Sequence, residues 1–178
     1  SLSQELHLNQ VNPDDYSQLN RKIAEQSITE LFGDAPTVEK IKFSDFLNIS
    51  VNSGKKNSFS KQVSSYSGVK GVDLDAALTS DNQNIVLSIF PPAVKPKDRF
   101  GFDDKTLASI HRLISEKNTL IYLFGNPYIL DILKLQPNSN VVLVYQDFPE
   151  FQAVAFEHFS GSIKAKGKLP IQLKTFQP

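Results

Sequence analysis

Charged side chains follow a predicted buried strand in the segment from residue 91 to residue 102. The segment contains Lys95, Lys97, Asp98 and Arg99. Side chains of this kind can hold a hydroxylated or an anionic ligand through charge-assisted hydrogen bonds. A solvated charged loop has the same composition, so the pattern alone leaves both interpretations open.

Two further segments follow predicted strands in the same way. Gly125-Asn126-Pro127-Tyr128 presents an amide and a phenol to a ligand, although Gly-Asn-Pro is also ordinary turn chemistry. Residues 146–150 follow the next strand along the chain. In open α/β sheets, ligands bind at the carboxyl ends of the strands. A ligand site is therefore expected among these three segments.

No metal or cofactor site is predicted. Cysteine is absent, which excludes disulfides, thiolate nucleophiles and every metal site that uses cysteine. The three histidines, His7, His111 and His158, are far apart, and none has a second histidine four residues away. We therefore expect no bound metal and no cofactor.

Nucleotide binding and self-contained serine hydrolysis are also not predicted. The sequence has no G-x-G-x-x-G, and Gly54-Lys55-Lys56 lacks the upstream glycine and the Ser or Thr of a phosphate loop. The stretch from Phe159 to Ile163 does not supply the glycines of a nucleophile elbow. The adjacent carboxylates Asp14-Asp15 and Asp103-Asp104 stand at predicted helix starts, where capping and the helix dipole explain them.

Composition limits the class of protein. Nineteen basic and nineteen acidic residues give a formal net charge of zero, so the basic surface of a nucleic-acid binder is not expected. No apolar stretch approaches the roughly 18 residues of a membrane span. Methionine is absent from all 178 residues, so we expect the chain to be a segment of a longer protein. Its size fits a single α/β domain at 14–175, with an N-terminal linker at 1–13 and a tail at 176–178.

The hydrophobic pattern predicts alternating helices and strands. A first helix is expected to bury a stripe of Leu19, Ile23, Ile28 and Leu31, and a strand is expected from Val38 to Val51. The remaining predictions are a loop and short helix over 52–66, a short strand over 69–74, a helical turn over 75–78, a helix capped by Asp103, a short helix over 128–135, and a helix from Pro149 to Gly161.

Three continuous apolar runs predict strands that are buried on both faces. They are Ile85–Phe90, Leu120–Phe124 and Val141–Tyr145. Helical segments separate them, which is typical of βαβ units. The predicted fold class is α/β, with a mostly parallel sheet and helices on both faces: a three-layer α/β/α sandwich, flavodoxin-like or Rossmann-like.

Six short motifs occur in an order that is similar to a known family. They are Ile23–Thr29, Tyr122–Leu130, Val141–Asp147, Gln152–Ala155, Phe159–Gly161 and Gly167–Ile171. Together they resemble the C-terminal domain of glycoside hydrolase family 3, and Gly125-Asn126-Pro127-Tyr128 is similar to the bacterial β-N-acetylglucosaminidase branch. Two features depart from the family pattern: Phe159-Ser160-Gly161 replaces Leu-Phe-Gly, and Lys-Asn is missing after Thr29.

The resemblance implies a retaining β-N-acetylhexosaminidase whose aspartate nucleophile lies on an N-terminal (β/α)8 barrel of the same parent chain. In this branch the acid/base is a barrel histidine, whereas in the β-glucosidase branch it is a glutamate of the C-terminal domain. The loop over 91–102 contains no glutamate, and its only acidic residue before Asp103 is Asp98. The fragment alone is therefore expected to be inactive, with no catalytic residue of its own. Its expected partners are the barrel and a carbohydrate substrate, and family habit favours a periplasmic or extracellular parent.

The substrate-binding residues that follow from the resemblance are those that the strand-end loops would bring to the cleft: Lys97, Asp98, Arg99, Asn126 and Tyr128. An alternative function keeps the fold without the chemistry, as a non-catalytic module that binds a sugar or a protein. A docking domain should expose an apolar patch of more than a few hundred Å², whereas an independent module should not.

Overall fold

Helices and strands alternate along the chain in the computed structural model, which describes residues 12–32, 35–52 and 54–173. The strands are β1 (Thr29–Phe32), β2 (Leu47–Val51), β3 (Gly71–Val72), β4 (Asn84–Ile89), β5 (Asn118–Leu123) and β6 (Ser139–Leu143). The helices are α1 (Pro13–Ser27), α2 (Ala35–Phe43), α3 (Ser58–Ser67), α4 (Leu74–Thr79), the single turn α5 (Lys97–Phe100), α6 (Asp104–Glu116) and α7 (Pro149–Ser160), with a 3-10 helix at Pro127–Ile132. Most of the predicted linker at 1–13 and all of the predicted tail at 176–178 lie outside the described residues.

The six strands form one sheet in the order β1-β6-β5-β4-β2-β3. Strand β1 runs antiparallel to β6, and every other neighbouring pair is parallel. The five parallel strands follow the 2-1-3-4-5 order of flavodoxin-like sheets. Buried apolar clusters lie on both faces of the sheet beneath the helices. The predicted three-layer α/β class is confirmed.

The central strands are buried on both sides, as the three apolar runs predicted. In β4, Ile85, Leu87 and Ile89 belong to the core on one face, while Val86 and the following Phe90 belong to the core on the other. Each buried apolar side chain of this size stabilises the fold by roughly 1.5–3 kcal/mol relative to its exposed state. Because neither face meets water, most positions along such a strand are apolar, and the buried Ser88 hydroxyl of β4 is hydrogen-bonded to the Ser60 hydroxyl.

The predicted strand from Val38 to Val51 is wrong in its first half, which forms helix α2. Val38 and Ile41, three residues apart, are buried, whereas Phe43 is 82% exposed, so burial follows a helical period. Helix α2 packs against β4 and β5, and only β2 is extended. Over so few residues a helical stripe and a strand alternation look alike, and packing against the sheet decides between them.

The first helix ends earlier than its apolar stripe predicted. Helix α1 ends at Ser27, and the Ile28 N–H closes it by donating to Ala24 O at 3.1 Å. The next residues form β1, whose register pairs Thr29 with Leu143 of β6. Strand β6 would otherwise have unpaired backbone groups along this edge, and pairing with β1 satisfies them.

The buried stripe of α1 also differs from the prediction. Leu19 and Ile23 are about half exposed, while Ala24 and Ile28 are buried. Helix α1 packs against α7, and Arg21 forms an ion pair with Glu157 of α7. Of the predicted stripe, Leu19 and Ile23 remain largely at the surface, whereas Ile28 is buried and Leu31 is partly buried beyond the end of the helix.

The predicted cap of α6 and the predicted bounds of α7 are confirmed. Asp103 Oδ1 accepts a hydrogen bond from the Thr106 N–H at 2.6 Å, and this bond lowers the pKa of the Asp103 carboxyl. Helix α7 begins at Pro149 and ends at Ser160, and Gly161 caps it with a φ of 87°, the left-handed conformation that glycine adopts without strain. Asn57 caps α3 in the segment that was predicted as loop then helix.

Three polar side chains form a hydrogen-bonded chain from the sheet to its edge strand. The fully buried Tyr122 hydroxyl lies 2.9 Å from His158 Nδ1, and His158 Nε2 bonds to Glu30 of β1. In neutral imidazole Nε2–H donates to the carboxylate, so Nδ1 accepts from the Tyr122 O–H. Burial raises the pKa of Tyr122 well above its ordinary value of 10, and the carboxylates of Glu30 and Glu39 raise it further.

We expect Tyr122 to make the protein less stable above about pH 10. Its pKa is higher in the folded state than in the unfolded chain, so between the two values the unfolded state loses the proton first and is favoured. Tyr122→Phe should therefore flatten the fall in melting temperature between about pH 9 and pH 11. The exposed Tyr66→Phe is the control. An alkaline profile in Tyr122→Phe that matches the wild type would contradict this assignment.

Candidate functional site

A cleft of about 300 Å³ opens at the carboxyl ends of β4, β5 and β6. Its size is at the lower end of the range for small-molecule sites. The loops after these strands, the loop after β2 and the C-terminal segment contribute its lining: Lys55, Pro91, Ala93, Val94, Phe124, Gly125, Asn126, Pro127, Tyr128, Tyr145, Gln146, Asp147 and Ile171. The position agrees with the expectation that a ligand site lies at this edge of the sheet.

The loop after β5 supplies one wall of the cleft through a tight turn. Gly125 packs against Pro91, and a side chain there would bring a Cβ within 2.6 Å of the Pro91 ring. Asn126 Oδ1 accepts from the Tyr128 N–H at 2.9 Å and caps the 3-10 helix. Asn126 and Tyr128 thus take part in turn chemistry and also line the cleft, so the two interpretations of this motif are compatible.

Tyr145 lines the cleft from an unusual backbone conformation. Its φ is 75°, in the left-handed region that non-glycine residues rarely adopt. Its hydroxyl lies 2.8 Å from Thr29 Oγ1, so β1 holds the ring in place. A strained residue at a cleft persists only where its surroundings fix it, and here the edge strand does so.

An ion pair joins two loops that follow well-separated strands. Lys55 Nζ, in the loop after β2, lies 3.1 Å from Asp147 Oδ2, in the loop after β6. The ends of β2 and β6 are three strand spacings apart, about 14 Å at the usual spacing. The pair therefore spans the ends of β4 and β5 between them, and about a third of each side chain remains exposed.

Gln152 holds the same two loops together from beneath. Its Nε2 donates to Lys56 O at 3.0 Å and to Asp147 O at 2.8 Å. Its Oε1 accepts from the Phe59 N–H at 3.1 Å and from the Ser58 hydroxyl at 3.0 Å. All four hydrogen-bonding positions of this buried amide are satisfied. The motif of Gln152–Ala155 therefore has a physical role in positioning the cleft.

The three charged candidates from the loop after β4 lie outside the cleft lining. Lys97, Asp98 and Arg99 are exposed on the turn α5, where Asp98 and Arg99 have φ of 53°. Arg99 pairs with Asp104 at the start of α6. The structure thus brings Asn126 and Tyr128 together at the cleft and leaves Lys97, Asp98 and Arg99 on the adjacent surface.

No binding role was assigned from the sequence to Lys55, Tyr145, Gln146 or Asp147. The last three end the motif Val141–Asp147, and the last two also lie in segment 146–150, which was expected at a strand end. Lys55 appeared only in a failed comparison with phosphate loops. Its position directly after β2 was the one feature that could have indicated a place at the cleft. Using that feature requires knowing that β2 ends at Val51.

Exposed apolar side chains surround the cleft. Val94, Tyr128 and Phe148 follow β4, β5 and β6 respectively, and all three are exposed. A second exposed apolar group, Tyr16 with Leu19 and Ile23, lies on α1. Exposed apolar surface at the rim of a cleft is typical of binding or docking sites.

Within the described ranges, no three His, Asp or Glu side chains come together as a metal site. His111 Nε2 lies 2.6 Å from Ile132 O, and His158 is bonded to Tyr122 and Glu30. His7 lies outside the described residues. No helix in the described part of the chain has the length and hydrophobicity to cross a membrane.

Several solved structures share this fold. A glycoside hydrolase family 3 β-N-acetylglucosaminidase from Paenibacillus sp. str. FPU-7 matches 93% of this chain and 34% of its own, with a TM-score of 0.63 and 15% identity. A fungal multi-domain GH3 β-N-acetylglucosaminidase matches 93% of this chain and 20% of its own, with a TM-score of 0.67 and 11% identity. The β-glucoside phosphorylase BglX matches 88% and 31%, with a TM-score of 0.61 and 16% identity.

These likenesses support the fold of a glycoside hydrolase family 3 C-terminal domain for this chain. The chain spans about a third or less of the length of the proteins that it matches. No protein-family model matches the sequence. No curated protein matches it either.

Proposed function

We propose that this chain is the C-terminal accessory domain of a glycoside hydrolase family 3 enzyme, a retaining β-N-acetylhexosaminidase that removes terminal β-linked N-acetylglucosamine. The observation that carries the proposal is a fold match over 88–93% of this chain but only 20–34% of each enzyme. The order of the sequence motifs supports the same family. In this proposal an N-terminal (β/α)8 barrel of the same parent supplies the catalytic residues.

The cleft end of the sheet is the face that would meet the barrel. Val94, Tyr128 and Phe148 expose apolar surface there, which a docked domain would bury. Asn126 and Tyr128 would then contact substrate from the cleft. Lys97, Asp98 and Arg99 would do so from the neighbouring turn, and all five residues remain proposed substrate-binding residues.

The position of Asp98 favours the N-acetylglucosaminidase branch of the family. In the β-glucosidase branch a glutamate of this domain is the acid/base, and the loop over 91–102 contains no glutamate. Asp98 lies on an exposed turn beside Arg99, outside the cleft lining. A barrel histidine as the acid/base is consistent with that arrangement.

The test compares the purified 178-residue chain with the full-length product of its gene. We expect the full-length product to release nitrophenol from an aryl N-acetyl-β-glucosaminide, with slower release from the aryl β-glucoside, and the chain alone to be inactive. Matching rates from the chain alone would contradict the division of labour between domains. A full-length product without activity on any aryl β-glycoside would contradict the enzyme assignment.

A second candidate function is a non-catalytic module that binds a sugar. The cleft favours it, because its lining combines polar and apolar side chains and this chain forms it without a second domain. The two functions differ in the full-length product: a binding module would hold sugar without hydrolysing any glycoside. The same activity measurement therefore separates them.

A further inference from the structure

We propose that the Lys55–Asp147 ion pair is the recognition element of the strand-end cleft and that it selects a neutral, polyhydroxylated ligand over an anion or a cation. The use of sugars as probes rests on the proposed function. The assignment of the pair rests on the geometry of the cleft alone.

The two charges of the cleft lie side by side in its lining. Among the described residues that line the cleft, Lys55 and Asp147 alone are charged. Their side chains are 34% and 31% exposed, so they are neither buried inside the core nor fully solvated. Gln152 holds the backbone of both loops, so the pair is kept in place beneath any ligand.

The ion pair disfavours charged ligands of either sign. With Nζ and Oδ2 only 3.1 Å apart, the two charges nearly cancel for a distant ion. A phosphate drawn to Lys55 would also meet the Asp147 carboxylate, and an ammonium drawn to Asp147 would meet Lys55. A hydroxyl both donates and accepts, so vicinal hydroxyls can bond to the two groups together without a charge penalty.

The other described residues of the cleft lining are uncharged. Asn126, Gln146 and Tyr128 offer uncharged donors and acceptors, while Val94 and Ile171 offer apolar surface. A sugar ring has polar edges and less polar faces, which this combination suits. A charged ligand would find no second charge to replace the water that it loses.

The experiment follows the backbone amide spectrum of the 178-residue chain by NMR during titration. The probes are N-acetylglucosamine and glucose as neutral sugars, inorganic phosphate as the anion and glucosamine as the cation. We expect the neutral sugars to shift the signals of the loops around Lys55 and Asp147, with little response to phosphate or glucosamine. Absence of sugar binding at millimolar concentrations, or a preference for phosphate, would overturn the proposal.

Variants of the two charged residues should change which ligand binds, and a purely structural role of the ion pair would not produce that change. Lys55→Gln should weaken neutral-sugar binding about tenfold and allow glucosamine to bind at the uncompensated Asp147. Asp147→Asn should weaken sugar binding similarly and create phosphate binding at the freed Lys55. Loss of sugar binding without either gain, in variants whose spectra are folded, would overturn the recognition role.

The controls alter charge without altering the cleft. Lys56→Gln changes the neighbouring exposed side chain, and Asp45→Asn changes an exposed acid before β2; neither side chain lines the cleft. Both should bind like the wild type, and a loss as large as in Lys55→Gln would overturn the proposal.

The outcomes for this inference and for the proposed function can be distinguished. Sugar binding by the chain with an inactive full-length product would contradict the proposed function and leave this inference. Activity of the full-length product without sugar binding by the chain would overturn this inference and leave the proposed function.

Discussion

Gln152→Glu is expected to lower the free energy of unfolding by about 3 kcal/mol. The amide donates to the carbonyls of Lys56 and Asp147, and a glutamate would place an oxygen against both. Each buried polar group that loses its partner costs about 1–3 kcal/mol. A glutamate keeps an oxygen that accepts from the Phe59 N–H. The expected loss of stability therefore comes only from the two hydrogen bonds that the amide nitrogen donates.

Urea unfolding, followed by circular dichroism, measures the effect of Gln152→Glu. Hydrogen exchange should also show faster exchange in the loop after β2, because one of its anchors is gone. The exposed Gln62→Glu on α3 is the matched control and should change stability by no more than about 0.5 kcal/mol.

Gln152→Met separates hydrogen bonding from packing at the same position. The side chain keeps its approximate volume but loses the donors and the acceptor, so all four partners are left unsatisfied. We expect a loss at least as large as in Gln152→Glu. A neutral or stabilising effect of methionine would mean that the four hydrogen bonds contribute little to the fold.

Gly167→Ala should lower the free energy of unfolding by about 2–4 kcal/mol. A Cβ at this position would overlap the Ser27 carbonyl group, with its carbon only 2.6 Å away, and would lie 2.5 Å from Thr29 Oγ1. Relief requires the backbone to move, which breaks the hydrogen bond from the Gly167 N–H to Ile28 O at 2.9 Å.

The location of Gly167 explains why the strain cannot be absorbed locally. The segment before it, with Ile163 and Ala165, packs on one face of the sheet, and the segment after it, with Leu169 and Leu173, packs on the other. The chain thus crosses the end of α1 and the start of β1 at Gly167, between two anchored stretches. Space for a methyl group would require moving one of them.

Thermal unfolding of Gly167→Ala beside Gly71→Ala tests this prediction. Gly71 lies on β3, where a Cβ would be 3.8 Å from the nearest atom, and its φ is outside the left-handed region. The control should therefore differ little from the wild type. Equal melting temperatures for the two variants would show that the crossing at Gly167 has room for a side chain.

Two cleft residues could be predicted from the sequence because they lie close to a strand end along the chain. Asn126 and Tyr128 follow β5 within a few residues, so a correct strand end places them at the cleft. Lys97, Asp98 and Arg99 follow β4 in the same way, yet the loop after β4 turns through left-handed residues and places them beside the cleft. Loop geometry, not strand order, made that difference.

The edge strand β1 and helix α2 show where local patterns are insufficient. Thr29–Phe32 has no strand signal of its own, and it is extended because β6 offers an unpaired edge. The stretch that forms α2 alternates like a strand, and it is helical because Val38 and Ile41 pack together onto the sheet. In both cases the partner is distant in sequence.

The central sheet, the α/β class and the caps of α6 and α7 could be predicted from local sequence, because continuous apolar runs, capping side chains and glycine turns involve residues adjacent along the chain. The polar side chains that connect the loops of the cleft could be found only in the folded chain. Lys55, Asp147 and Gln152 come from separate loops and a helix, and no local pattern relates them. They meet because parallel strands carry their carboxyl ends to one edge, where charges and amides from distant parts of the chain can pair.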